Sequence, residues 1–174
     1  MPKAWLITHP ETKLDKDGRM HGDLDPPLSE SGRYKAKQIA KSFKDKNVAK
    51  VHSSPRQRAL EQAQLIGKET GAPVEVHEEL IPWRIGSMSG AKANSIKPIL
   101  EFFSNRPNRP IPGGESKNAV LSRWKSFGKK IKPNEVVVGH SQHSLSWDYT
   151  KKGGDAAKVP MVGGKAGEIR QVEI

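Results

Sequence analysis

Residues 5–11, with the sequence WLITHPE, form a short apolar strand that ends at a histidine. Leu6 and Ile7 give the strand its buried character, and Pro10 fixes the backbone immediately after His9. A histidine at a strand end can act as a nucleophile, a base, a metal ligand or a packing residue. Packing is the commonest role for a histidine judged alone, so the rest of the chain has to decide what His9 does.

The composition indicates one domain with a preference for anionic partners. The 174 residues can bury a sizeable core, and there is no cysteine for disulfides or thiolate ligands. Thirty Lys and Arg against 19 Asp and Glu give a formal charge of +11, which favours phosphorylated metabolites, phosphoproteins or nucleic acid. Because the lysines are scattered over helical faces and aromatic residues make up only 6%, dedicated nucleic-acid binding is disfavoured.

The N-terminal apolar run is four residues long, which is too short for a signal peptide or a membrane span. We therefore expect a cytoplasmic protein with no membrane partner. The oligomeric state stays open, a dimer included.

Strand and helix patterns alternate along the chain. Further strands are predicted at 48–53, 73–77 and 135–139, and the last, EVVVG, is typical of a parallel strand buried on both faces. Helices are predicted at 31–46 (capped by Ser29 or Ser31), 55–68, 91–103 and 117–131, with weak strand character at 159–162 and 168–174. This order predicts a single α/β domain over 1–174, a three-layer α/β/α sandwich with helices on both faces of a mostly parallel sheet.

Several polar residues follow the predicted strands directly. His9 follows the first strand, Ser53 and Ser54 end the second, and His140 follows the apolar run at 135–139. Ligands of parallel sheets bind beyond the carboxyl ends of the strands, so we expect these side chains at one rim. The segment 11–27 is predicted to be an exposed loop of a length that is often functional.

Two histidines at neighbouring strand ends, with Arg58 near the start of the intervening helix, can hold a phosphoryl group. One imidazole can attack phosphorus, while a protonated second imidazole and the guanidinium neutralise the equatorial oxygens. The N-terminus of that helix can add backbone N–H groups aimed the same way. Judged alone, Arg58 could equally well form a surface salt bridge, and His140 could equally well be a buried packing residue. Their placement at the same rim favours the phosphoryl site.

Four sequence blocks, in order, resemble the histidine phosphatase superfamily, the phosphoglycerate mutase-like group. They are LITHPET (family pattern L-x-R-H-G-E-T), SSPRQRALEQA (S-S-P-x-x-R-A-x-x-T-A), PGGES followed by Arg123, and VVVGHS. PPLSESGRYKA matches a further family stretch, P-L-T-x-x-G-x-x-Q-A. The resemblance implies the family fold, no metal and no bound cofactor.

By residue, the resemblance implies that His9 is a nucleophile that forms a phosphohistidine. It implies that Arg58 and His140 are phosphate ligands and that Glu115 and Ser116 are rim or scaffold positions. Further candidates for substrate contacts are Thr8, Ser54 and Ser141.

Three positions depart from the family pattern. Thr8 replaces the arginine beside the nucleophile, Pro10 replaces a glycine, and Pro82 stands where the family usually has a general-acid glutamate. Losing a charge-assisted phosphate contact costs about 1.5–3 kcal/mol. Losing a general acid costs about 100- to 10,000-fold in rate. Thr8 can still donate one hydrogen bond.

Other charged residues are candidates for the missing groups, although each is more often a solvated surface charge. The arginines are Arg84, Arg106 and Arg109, and the carboxylates are Glu11, Asp25, Glu78 and Glu79. Among the remaining histidines, His21, His52 and His77 have no assigned role, and a structural role is favoured for His143 over one in the pocket.

These features predict a phosphohydrolase that works through a phosphohistidine on His9 without a metal. Because an alkyl phosphate needs its leaving oxygen protonated, the loss at Pro82 favours substrates with a good leaving group, such as phosphohistidine or a phosphoanhydride. The alternative is a weakened family member that binds phosphorylated small molecules or phosphoproteins without efficient turnover. A mutase is disfavoured because it must hold a second anionic group and protect its phosphoenzyme from water.

Overall fold

Strand β1 (Lys3–Thr8) lies inside a five-stranded sheet in a computed structural model that describes residues 1–174. The strand order is β3-β2-β4-β1-β5, with β2 at Lys50–Ser53, β3 at Val74–Val76, β4 at Glu135–Gly139 and β5 at Ile169–Glu173. The first four strands are parallel, and β5 pairs antiparallel with β1. All five residues of the central strand β4 are buried, as its continuous apolar run predicts.

Helices cover both faces of the sheet, which confirms the predicted three-layer α/β/α architecture. The helices are α1 (Lys13–Lys16), α2 (Glu30–Ser42), α3 (Gln57–Thr70), α4 (Ala93–Ser104), α5 (Lys117–Gly128), α6 (Ser141–Leu145) and α7 (Trp147–Lys152). None of these helices has the length and apolar character needed to cross a bilayer.

The alternation of side chains along β1 sorts its residues between two apolar layers. Trp5 and Ile7 pack in the layer with α2 and α3, whereas Ala4 and Leu6 pack in the layer with α5 and α7. Trp5 also meets Phe43 edge to face, with ring centroids 5.6 Å apart. Burial of each large side chain stabilises the fold by about 1.5–3 kcal/mol.

Several element boundaries differ from those that the sequence pattern predicts. Helix α3 begins at Gln57, two residues after Pro55, and ends at Gly71, whose φ of 76° gives the left-handed cap that glycine favours. Ser29, rather than Ser31, caps α2 by accepting the N–H of Gly32. No strand forms at 159–162, where Met161 and Val162 instead line a cavity.

The predicted exposed loop at 11–27 is partly folded. Thr12 is fully buried and caps α1 by accepting the N–H of Asp15, while the Asp15 carboxylate accepts the N–H of Thr12 in return. Thr12 also forms an isolated bridge with Leu28. The segment is therefore held by the buried Thr12 and by backbone hydrogen bonds of Gly18 and Met20 to residues 90–93.

A third apolar cluster lies beside the carboxyl edge of the sheet and forms one wall of the cavity there. Its members come from α4, α5 and the loops around them: Trp83, Ile85, Ile96, Leu100, Ile111, Val120, Leu121, Val159 and Met161.

Candidate active site

The strand register places the two candidate histidines side by side. Thr8 pairs with Gly139 across β1 and β4, and the N–H of His9 donates to the carbonyl of Gly139 at 3.0 Å. The rings of His9 and His140 follow directly, with centroids 5.5 Å apart and planes at 62°. Both residues are buried and line a cavity of about 150 Å³.

The ring of His9 is oriented by its own loop. Its Nδ1 lies 2.8 Å from the carbonyl oxygen of Pro10, which can only accept, so Nδ1 carries the proton. Burial, with the charge of Arg58 adding to it, lowers the pKa of His9 well below its ordinary value. The ring is therefore neutral at pH 7, and Nε2 keeps an electron pair for attack on phosphorus.

His140 is held by the residue that follows β2. Its Nε2 lies 2.9 Å from Oγ of Ser54, a fully buried residue. Burial and the charge of Arg58 lower the pKa of His140 well below its ordinary value. The second imidazole is thus neutral in this structure and contributes a hydrogen bond, whereas the sequence argument invoked a protonated ring.

Arg58 supplies the positive charge of the cavity. Its side chain is 1% exposed, and burial lowers its pKa to about 10, so it stays protonated at pH 7. One Nη donates to the carbonyl of Leu24 at 3.1 Å, and Nε has no partner within the protein. An anion in the cavity would meet this charge directly.

Thr8, one of the three positions that depart from the family pattern, also faces the cavity. Thr8 is buried, lines the cavity and has a hydroxyl with no hydrogen-bond partner. A buried hydroxyl without a partner costs free energy unless a ligand satisfies it. Thr8 can therefore donate one hydrogen bond to a bound oxyanion, in place of the family's guanidinium.

Two of the backbone N–H groups at the start of helix α3 donate to side chains of the protein. The N–H of Gln57 donates to Oδ1 of Asp25 at 2.7 Å, and the N–H of Arg56 donates to Oγ of Ser54 at 3.3 Å. These two donors are satisfied by the protein itself and do not point at a phosphate.

The structure adds His21 and Asp15, which the sequence argument did not place in the site. The His21 ring meets that of His9 edge-on, with centroids 5.2 Å apart, and its Nε2 lies 2.6 Å from Oγ1 of Thr12. Burial lowers the pKa of His21 to about 3, which keeps it neutral. Burial raises the pKa of Asp15, although hydrogen bonds from Thr12 oppose the shift. The only sequence signal for these two is the unusual length of the segment 11–27.

The proposed replacements for the missing acid lie outside the cavity. Glu11 accepts hydrogen bonds from Ser29 and Ser31, and Asp25 caps α3. Glu78 and Glu79 do not line the cavity either. Asp15 is the carboxyl group among the cavity-lining residues.

The loop arginines are likewise occupied elsewhere. Arg84 faces Asp23 at 3.6 Å, and the guanidinium of Arg106 lies 3.9 Å from the ring centroid of Phe102, with that of Arg109 at 5.4 Å. Arg19, by contrast, lines the cavity and donates to the carbonyl of Gly90 at 2.9 Å.

Glu115 and Ser116 lie outside the cavity lining and support its wall. The Glu115 carboxylate pairs with Arg123 and accepts the N–H of Arg84 at 2.9 Å, while its carbonyl accepts the indole N–H of Trp83 at 3.1 Å. Ser116 caps α5. These contacts fit the scaffold part of the expectation and not substrate contact.

Ser141 lines the cavity next to Gln142, whereas His143 does not. Nδ1 of His143 accepts the N–H of His140 at 3.2 Å, and its ring lies 4.6 Å from that of Trp124. His143 thus has the structural role that the sequence favours.

Three cavity groups have the spacing of metal ligands. Ligand atoms of His9, Asp15 and His21 all lie within 4.8 Å of one another. A cation held by this set would compete with phosphoryl transfer for His9, so the set does not serve the chemistry that the two imidazoles and Arg58 support.

Comparison with known proteins identifies the family. Residues 4–143 match the model of the histidine phosphatase superfamily (branch 1). Phosphoglycerate mutase-like protein 4 from Arabidopsis thaliana is 32% identical over 145 residues, which cover 76% of this chain and 63% of that protein. Phosphoserine phosphatase 1 from Hydrogenobacter thermophilus is 29% identical over 151 residues, 81% of this chain and 72% of that protein.

A solved structure agrees with the fold. Mycobacterial glucosyl-3-phosphoglycerate phosphatase in complex with VO3 superimposes with a TM-score of 0.85 at 23% identity, covering 99% of this chain and 91% of that one. The family match covers most of the chain, and it includes His9, His140 and Arg58. The chain belongs to the histidine phosphatase superfamily.

Proposed function

We propose that this chain is a phosphohydrolase in which Nε2 of His9 attacks phosphorus. The observation that carries the proposal is the unprotonated Nε2 of a buried histidine, beside the second ring of His140 and the charge of Arg58, in one cavity. In the first step, the Nε2–P bond forms while the bond from phosphorus to the leaving group breaks. Water then attacks the phosphohistidine, which releases phosphate and returns the electron pair to Nε2.

The cavity residues stabilise the charge that is transferred in both steps. Arg58 neutralises the equatorial oxygens, and the free hydroxyl of Thr8 donates to one of them. Ser54 holds the ring of His140 beside this oxyanion site. The sheet register places Thr8 and the strand ends that precede His9 and His140 side by side around the site of this anion.

The substrate class follows from the residue at the family's acid position. Pro82 lines the cavity but cannot donate a proton, so an alkoxide would leave without that help. A phosphoramidate such as phosphohistidine, or a phosphoanhydride, needs little acid assistance. We propose that one of these, on a phosphoprotein or a phosphorylated small molecule, is the substrate.

One observation favours phosphomonoesters as a second candidate. Asp15 lines the cavity, and burial raises the pKa of its carboxyl group. A protonated carboxyl group there can serve as the general acid in place of the family's glutamate. The named relatives include a phosphoserine phosphatase, whose substrate is an ester of this kind.

Trapping the intermediate tests the enzymatic proposal. The protein is incubated with acetyl phosphate and quenched in base, and an adduct on His9 is sought by mass spectrometry. We expect the adduct in the native protein and none in His9→Ala, with His77→Ala as a matched control that keeps it. A phosphate-induced rise in Tm without any adduct would identify a binding protein instead.

Comparing substrates separates the two leaving-group candidates. Turnover is measured for a phosphohistidine peptide, a nucleoside diphosphate and phosphoserine, in the native protein and in Asp15→Asn. We expect the first two to react fastest and to be little affected by Asp15→Asn. Faster phosphoserine cleavage that falls by about 100-fold or more in Asp15→Asn would establish Asp15 as the acid.

A further inference from the structure

A second group of histidines and carboxylates lies outside the active site, at the β2–β3 edge of the sheet. Nδ1 of His52 lies 2.9 Å from Nε2 of His77, and Oε2 of Glu75 lies 4.0 Å and 3.7 Å from these two atoms. The three ligand atoms lie within 4.8 Å of one another in a surface pocket that these residues line. The active-site mechanism uses none of them.

Their spacing is that of a zinc site. Zn²⁺ binds histidine nitrogen at about 2.0–2.1 Å and carboxylate oxygen at about 2.0–2.2 Å, so tetrahedral ligand atoms lie about 3.4 Å apart. The three observed separations, 2.9, 3.7 and 4.0 Å, lie on either side of this value. Shifts of about half an ångström would complete the geometry.

A buried carboxylate supports the site from behind. Nε2 of His52 lies 2.8 Å from Oε2 of Glu135, which is 5% exposed and also accepts the N–H of Lys132. The carboxylate accepts a hydrogen bond from Nε2–H of His52, which leaves Nδ1 with its electron pair facing His77. A carboxylate behind a histidine is the usual support of a zinc ligand, because it fixes the tautomer and raises the basicity of the ring.

We propose that His52, Glu75 and His77 bind one zinc-class divalent cation, with water as the fourth ligand. Lys50 contacts the other carboxylate oxygen of Glu75, at 2.8 Å, and therefore leaves Oε2 for the ion. The ion replaces the proton that the two rings share across 2.9 Å. Because the site is half open on the Glu75 side, the ion enters from solvent without unfolding of the sheet edge.

A cation bound at this site would also constrain the segment that follows His77. His77 directly precedes the turn Glu78–Leu80, after which Pro82 and Trp83 enter the cavity wall. A cation shared with His52 would tie the start of this segment to strand β2.

The experiment is a Zn²⁺ titration of the full chain by calorimetry, repeated with Co²⁺, whose visible absorption reports four-coordinate ligation. The variants are His77→Ala and Glu75→Gln, and His21→Ala is the matched control because it removes a histidine from the active-site set. We expect one equivalent bound by the native protein and by His21→Ala, with affinity at least 10-fold weaker in His77→Ala. Circular dichroism checks that each variant is folded.

Three results would overturn the proposal. They are no binding by the native protein, binding that persists unchanged in folded His77→Ala, and binding that disappears in His21→Ala, which would assign the ion to the active site. As a second readout, Zn²⁺ should raise the Tm of the native protein and of His21→Ala but not that of His77→Ala.

Discussion

Nε2 of His140 lies 2.9 Å from Oγ of Ser54, so the residue after β2 holds the ring that follows β4. The two strands are neighbours in parallel register, with Ser53 opposite Val138. The hydrogen bond therefore crosses from one strand end to the next at the same level of the rim. This contact makes Ser54 a positioning residue for His140.

Removing that hydroxyl tests the positioning role. We expect Ser54→Ala to lower kcat/KM about 2- to 13-fold, which corresponds to one neutral hydrogen bond of about 0.5–1.5 kcal/mol. Ser53→Ala is the control, because the Ser53 hydroxyl donates to the carbonyl of Ser54 and does not contact His140. Equal losses in the two variants, measured with the same substrate, would show that Ser54 acts only through packing.

Thr8 offers a sharper test because its hydroxyl has no partner in the protein. We expect Thr8→Val to weaken vanadate or phosphate binding about 10- to 150-fold, the value of a hydrogen bond to a charged group, and to leave the free energy of unfolding unchanged or higher. Thr8→Ser keeps the hydroxyl and should bind nearly as the native protein does. Calorimetry and urea unfolding give the two quantities. Indistinguishable affinities for the valine and serine variants would remove Thr8 from the site.

The sequence predicts the strands and their rim better than the contacts that complete the cavity. The apolar run at β4 and the alternation of strands with helices determine the sheet, and the sheet brings His9 and His140 together because both follow parallel strands. Asp15 and His21 were not predictable in this way. They lie in a segment of polar composition, which is placed by the Thr12–Leu28 bridge and by backbone hydrogen bonds of Gly18 and Met20 to residues 90–93, and not by any periodic pattern.

The N-terminus of α3 shows why local rules fail at such sites. A helix beginning beside a phosphate pocket predicts free N–H donors, but Asp25 comes from the preceding segment and takes the N–H of Gln57. The two residues of this hydrogen bond are 32 positions apart in the sequence. A rule based on local residue spacing cannot predict such a contact.

Position 139 has no room for a side chain because the ring of His143 lies against Gly139. A Cβ at position 139 would lie 2.4 Å from Nδ1 of His143, the atom that accepts the N–H of His140. We expect Gly139→Ala to destabilise the fold by about 1–3 kcal/mol, as measured by urea unfolding. In the double variant with His143→Ala, the alanine gains space, so the combined cost should be less than the sum of the single costs. Additive costs would mean that the two positions are independent.

The buried histidines should make the fold sensitive to acid. Burial lowers the pKa of His21 and of His143 to about 3, against 6.5 when exposed. The unfolded chain then binds more protons between these values, so stability is complete above about pH 6.5 and is lost as the pH falls toward 3. Each such group contributes a slope of up to about 1.4 kcal/mol per pH unit.

His143→Gln isolates one of these groups, because a glutamine can replace the hydrogen-bond acceptor but cannot titrate. We expect the variant to show a shallower dependence of unfolding free energy on pH between about 4 and 6, by about 1.4 kcal/mol per unit. Urea unfolding at several pH values measures the slope. A general loss of stability would lower every value of the unfolding free energy without changing the slope.

His52→Gln is unsuitable as the control because Glu135 would lose its buried partner. His77→Gln changes a ring that is 24% exposed, so it should leave the slope closer to that of the native protein. A slope in His143→Gln as steep as the native one would show that this ring already carries its proton in the folded protein.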